Sequence, residues 1–138
     1  MKFWIAVVSQ EHAKRALEGQ FIQACHGKRA PLVRMKKGDG VLIYSSKISM
    51  NGTEKCQCFT AIGEVIDDEI YSFPMTEDFI PFRRNIRFVP AQEISILALI
   101  PHLSFITNKK SWGYPFRFGF LEIPEADFKL IQKEMLDD

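Results

Sequence analysis

Five runs of strand-forming residues, joined by connections of unequal kind, restrict the fold of this chain more than any other feature. Phe3 to Val8 and Val41 to Ser45 are short, apolar and partly β-branched, Cys56 to Ile66 is a longer run with core character, and Gly119 to Ile123 closes the series. Pro81 to Val89 alternates instead. Phe82, Arg84, Ile86 and Phe88 fall on one face of that segment, and Arg83, Asn85, Arg87 and Val89 on the other. A clear helix signature follows the first run: Ser9 as N-cap, Glu11 in the first turn, Ala13, Ala16 and Leu17 in helical period, and Gly19 as the stop. Asn51-Gly52 marks a hairpin turn before the third run. Pro90 to Leu99 reads as a short helix bounded by Pro101, and Ser104 to Phe118 as a loop rich in aromatics and cations. Pro124 opens a terminal helix that carries Phe128, Ile131 and Met135 on one face. This order lacks the β-α-β-α alternation of a parallel sheet. It predicts an α+β fold, a small mixed β-barrel of five to six strands flanked by short helices, with residues 1–138 forming one domain.

A chain of 138 residues with 46% hydrophobic and 25% charged residues can bury a sizeable core and is not disordered in composition. No apolar run approaches the ~20 residues of a membrane span. The apolar stretch at the N-terminus ends at Val8 without a cleavage pattern and reads as a first strand, not a signal peptide. Three loosely placed cysteines make no disulfide framework, which points to a reducing cytoplasm. The net charge of +1 hides a segregation. Lys28, Arg29, Arg34, Lys36, Lys37 and Lys47 face the single acid Asp39 between His26 and Lys47, whereas Glu64 to Asp78 holds six acids and no base. Arg83, Arg84 and Arg87 form a second basic group, and Lys109, Lys110 and Arg117 a third. Basic groups that meet in space produce a strong local potential despite a small total.

Residue chemistry narrows the function classes. Cys25 and His26 are adjacent, and neighbours along a chain usually point apart, so they make a weak nucleophile and base. Cys56 and Cys58 share a strand face but lack the further ligands of a tetrahedral metal site. No Gly-rich phosphate loop and no paired-carboxylate signature is present, so neither a cofactor nor a metal is predicted. Trp4 lies inside an apolar strand and reads as core, as does Tyr44 with a satisfied hydroxyl. Arg83 and Arg87 read as a solvated sheet face. Trp112 stands in the polar stretch Lys109, Lys110, Ser111, Gly113, where a large aromatic is less expected than in a core.

Four segments, FWIAVVSQEH, GQFIQACHGKRAPLVRMKKGD, VLIYSS and SWGYPFRFGFLEI, resemble the EVE domain family of the PUA-like superfamily, and the similarity runs from about the first residue to the last helix. The resemblance implies a pocket related to that of YTH domains, which bind methylated adenine in RNA, and hence a module that reads a modified nucleobase in single-stranded or flipped-out DNA or RNA. Carried over by position, the ligand-binding residues are Ser9, Gln10, Phe21, Ile22, Gln23, Tyr44, Ser45 and Trp112, with His26 bracing the pocket. Phe21 stands where the YTH counterpart has tryptophan, so the base itself stays open. The chemistry has three parts. Phe21, Tyr44 and Trp112 stack on the base, an interaction of about 1–3 kcal/mol. Ser9, Gln10, Gln23 and Ser45 read its polar edge. Lys28, Arg29, Arg34, Lys36, Lys37, Lys109 and Lys110 hold phosphates, the first five brought to the pocket rim by the Gly38-Asp39-Gly40 turn. This reading assigns no catalytic residue. The alternative, drawn from the related ASCH domains with their hydrolytic members, is a small hydrolase acting on a nucleoside or nucleic acid through His26 and Lys28.

Overall fold

The computed structural model describes residues 1–136, and the apolar runs identified above become the centre of one mixed sheet. β1 (Phe3–Val7) and β3 (Gly40–Lys47) lie side by side and parallel. The connection between them carries α1 (Gln10–Gly19), β2 (Phe21–Ile22) and α2 (Arg29–Val33). β4 (Lys55–Ser72) returns antiparallel to β3, β5 (Phe82–Phe88) antiparallel to β4, and β7 (Phe120–Ile123) antiparallel to β1. β6 (Ile94–Ser95) pairs with β4 off the main path, and α3 (Glu125–Leu136) follows β7. The strand order is β2-β5-β4-β3-β1-β7.

The α+β class and mixed sheet are those expected, with two differences in detail. β2 and β7 are free edges, so the sheet does not close into a barrel. It also has seven strands, because β2 and β6 are two residues long and leave no periodic trace in the sequence. The helix expected over Pro90–Leu99 is absent. Ile94 instead pairs with Phe59, and the helix-like spacing of Ile96, Leu99 and Ile100 belongs to a single tight turn, with the Leu99 and Ile100 amides donating to the Ile96 carbonyl at 2.8 and 3.1 Å. Other signals have the structure their chemistry requires. The Ser9 hydroxyl accepts from the His12 amide at 3.2 Å, and Asn51-Gly52 lies in the β3–β4 hairpin that pairs Lys47 with Lys55. Phe128, Ile131 and Met135 are buried.

Strand alternation divides the core into two clusters. Phe3, Ile5, Leu42, Tyr44 and Phe59 pack with α3 on one side of the sheet, and Trp4, Ala6, Val41, Ile43 and Ile86 with α1 and α2 on the other. β4 slips register between Val65 and Ile70, and the irregularity holds Asp67, Asp68 and Glu69.

The Gly38-Asp39-Gly40 turn locks the N-terminus to the sheet. Gly38 takes φ +93°, and the buried Asp39 carboxylate accepts from Trp4 Nε1 at 2.9 Å, from the Lys36 amide at 2.9 Å and from the Lys2 amide at 3.1 Å. Burial raises the Asp39 pKa, but the Trp4 indole and then the Lys2 and Lys36 amides outweigh it and hold the group below its ordinary value. Asp39→Asn keeps the shape but loses the charge, so urea unfolding at pH 7 should show a loss of about 2 kcal/mol. The difference should shrink as pH falls below 3.8 and the wild-type carboxyl protonates.

Candidate functional site

The two parallel strands end at one side of the molecule, and their ends are where side chains and backbone leave space. β1 passes through Val8 into the Ser9 cap of α1, β3 ends at Ser46 and Lys47, and a 3₁₀ turn at Cys25–Gly27 closes the same region. A cavity of about 380 Å³ opens there, a volume typical of small-molecule sites. Its apolar lining comes from Val7, Val8 and Ala24, and its polar groups from Ser9, His12, Gln23 and His26. Arg15 and Lys47 add two cations. Met75 and Phe79 of the β4–β5 connection line it as well, although they are 41% and 39% exposed. Gly27 keeps the 3₁₀ turn against that connection: it takes φ +82°, and a Cβ there would stand 2.4 Å from Pro81 Cβ.

Buried electrostatics fix the polar lining. The Gln23 side-chain carbonyl accepts from Arg83 Nε at 2.7 Å, which leaves the amide NH₂ as its free donor end. The Arg83 guanidinium lies 3.7 Å from the Phe21 ring centroid and 4.0 Å from that of Phe73. Arg83 therefore does not belong to a solvated sheet face. It is 8% exposed, because Phe73 of the β4–β5 connection stacks over it. Arg87 is exposed as expected and pairs with Glu64. Burial, reinforced by Arg15 and Arg83, pulls the His12 pKa down to about 4. Its imidazole is neutral at pH 7 and offers both a donor and an acceptor.

A second cavity, of about 450 Å³, borders the first at Val7 and Ser46. Tyr44, Gln57, Lys110, Trp112, Phe116 and Arg117 line it. The Tyr44 ring stacks on Phe116 at 4.1 Å and 18°, and its hydroxyl is buried without a hydrogen-bond partner. Burial, then Cys56 and Cys58, push the Tyr44 pKa up.

The residues singled out in the sequence thus separate. Ser9, Gln23 and His26 meet in the first cavity, and Tyr44 and Trp112 in the second. Phe21 packs under Arg83 and lines neither, since β2 and β3 are three positions apart in the strand order. Ile22 is core. Ser45 is fully buried and its hydroxyl lies 2.9 Å from Thr60 Oγ1, while Gln10 Nε2 donates to Glu93 at 2.7 Å. The three rings consequently do not form one enclosure. Of the cations, Lys28 and Arg29 are exposed at the start of α2, and Arg34 lies 4.9 Å over Trp4. Lys36 and Lys37 precede β3, at the opposite end from the cavities, so the turn does not bring them to a rim. Lys109 Nζ donates to the Leu103 carbonyl at 2.8 Å, and Lys110 lines the second cavity. Lys28 does not line the first cavity beside His26, and burial raises the Cys25 thiol. Sequence reasoning missed His12, Arg15, Met75 and Phe79. The available signal was the apolar content of FPMTEDFIP, where Phe, Met and Ile interrupt an acidic connection.

The sequence matches the EVE domain over residues 2–134. The chain belongs to the EVE domain family. Curated relatives include a UPF0310 protein encoded in the gntR 5' region of Bacillus licheniformis, 48% identical over 93% of this chain and 87% of its own length. Another, from Mycolicibacterium gilvum, is 44% identical over 100% of this chain and 98% of its own. Among solved structures, Rpa0253 of Rhodopseudomonas palustris superposes with TM-score 0.60 at 16% identity, covering 98% of this chain and 93% of that one. Human THYN1, solved in complex with DNA containing 5-methylcytosine, superposes with TM-score 0.52 at 16% identity and full coverage of both chains. These likenesses establish that this EVE domain shares its fold with both structures. Among the described residues, no helix is long and apolar enough to cross a membrane.

Proposed function

We propose that this EVE domain is a nucleic-acid-binding module that captures a modified nucleobase, single-stranded or flipped out, in the first cavity. The observation that carries the reading is the lining of that cavity, which combines two apolar walls with a fixed set of neutral donors and acceptors and two cations. The Phe79 ring and the Met75 thioether offer faces for a planar base. Ser9, the Gln23 amide and neutral His12 are positioned to read its edge once it has left the stack. Arg15 and Lys47 stand where the phosphates of an entering strand need charge. A methyl group on the base would bury against Val8 and Ala24. The fold shared with THYN1, whose structure contains 5-methylcytosine DNA, supports the same ligand class.

Fluorescence anisotropy with short single strands, each bearing one modified base, and their unmodified twins tests the proposal. One modification, with 5-methylcytosine the first to try, should bind at least about fivefold more tightly than its twin, as burial of one or two methyl-sized groups allows. Phe79→Ala and Gln23→Ala should each weaken that complex about tenfold and abolish the preference. Equal affinity for every strand, falling steeply with salt, would overturn base recognition in favour of general attraction to phosphate.

A further inference from the structure

We infer that the second cavity is a nucleotide subsite, taking the residue that flanks the captured base, with its base stacked on Trp112 and its phosphate held by Lys110 and Arg117. The inference rests on the reading of the first cavity as a base pocket and adds a second point of contact with the same strand. Continuity is the first ground. The cavities share Val7 and Ser46, so a strand with one base in the first has its neighbour at the mouth of the second. The build of the wall is the second ground. Trp112 is half-buried and packed against the core, which holds the ring in place while part of it remains open. An aromatic fixed in this way stacks on any base with little entropy to lose.

The polar groups point to the same ligand. Among the described residues, no acidic side chain lines the cavity, and Lys110 and Arg117 are exposed cations with no carboxylate partner. An aromatic platform and two cations without a carboxylate partner together fit a nucleotide, where a neutral metabolite would leave the cations idle.

Intrinsic fluorescence reads this site separately from the first. The chain has two tryptophans, and Trp4 is enclosed at 1% exposure, so quenching on titration reports Trp112. The probe is a single strand of deoxyadenosines with one central 5-methylcytosine, made also with an abasic residue on either side of it and with cytosine in its place; RNA versions distinguish the two polymers. The intact strand should quench the fluorescence, and one of the two abasic neighbours should lower affinity about tenfold in the wild type. Trp112→Ala should remove the quenching and lose no further affinity to that abasic strand. Unchanged fluorescence at saturation, or equal affinity for intact and abasic strands, overturns the subsite without reference to any variant. The base pocket fails differently, by equal binding of 5-methylcytosine and cytosine strands while quenching and the abasic penalty persist.

Discussion

Replacing Arg84 with alanine is expected to destabilise the domain by about 3–5 kcal/mol, a fall of roughly 10–15 °C in a thermal melt. Arg84 is 1% exposed, an unusual position for a guanidinium. Its Nη1 donates to the Leu32 and Met35 carbonyls at 2.7 and 2.8 Å, and its Nη2 to the Asp67 carbonyl at 2.6 Å. Leu32 and Met35 lie at and just beyond the end of α2, and Asp67 lies in the irregular part of β4, so one side chain ties three elements together from β5. Asp68 stands 3.9 Å away and supplies countercharge. Removing the guanidinium leaves three carbonyls without this donor and opens a void beside Leu32. Arg84→Lys should recover only a fraction, because a single ammonium on a flexible stem cannot satisfy three acceptors arranged around a planar fork. A melt of Arg84→Ala within 3 °C of wild type would refute this account of how α2 is held.

Acidification should weaken the protein well before its carboxylates protonate, and His12 is the cause. In the unfolded chain His12 takes up a proton near pH 6.5, whereas in the folded protein it does so only at about 4. Between those values the unfolded state binds more protons, so stability falls as pH falls. The loss should reach about 2–3 kcal/mol near pH 4 after allowance for solvent screening. Urea midpoints measured from pH 7.5 to 4.5 should therefore decline, and His12→Gln should flatten that limb. The Asp39 effect lies lower, below 3.8, and should survive in the His12 variant. An identical decline in His12→Gln would place the acid sensitivity elsewhere.

Much of the fold was legible because its signals are local. The Ser9 cap, the Asn51-Gly52 turn and the period of α3 each act over a few residues and need no partner. The alternation of Phe82–Phe88 was likewise readable, including the opposition of Arg83 and Arg84. Its consequence was not. Whether Arg83 meets water depends on Phe73, ten residues earlier, stacking over it, and no local pattern encodes that return. The supposed Pro90–Leu99 helix failed for the same reason, since a two-residue pairing with β4 prevailed over a helical spacing of apolar residues.

The site was legible by residue more than by assembly. Ser9, Gln23 and His26 do gather, because β1, the 3₁₀ turn and the end of α1's cap converge. Tyr44 and Phe21 separate because strand order places β4 and β5 between β3 and β2, a fact of topology invisible in the spacing of the two rings. His12 was within reach of sequence reasoning, three residues after the Ser9 cap whose hydroxyl its own amide engages.

The ends of β3 also differ in how they meet a polyanion. At the first, Glu64 opposes Gly40 and pairs with Arg87, and Asp68 binds the Lys37 amide and faces Arg84. At the other, roughly 25 Å along the strand, Lys47, Lys110 and Arg117 have no carboxylate partner among the described residues. A negatively charged ligand that reaches these three cations has no paired carboxylate to displace, and the attraction is of the kind that added salt screens.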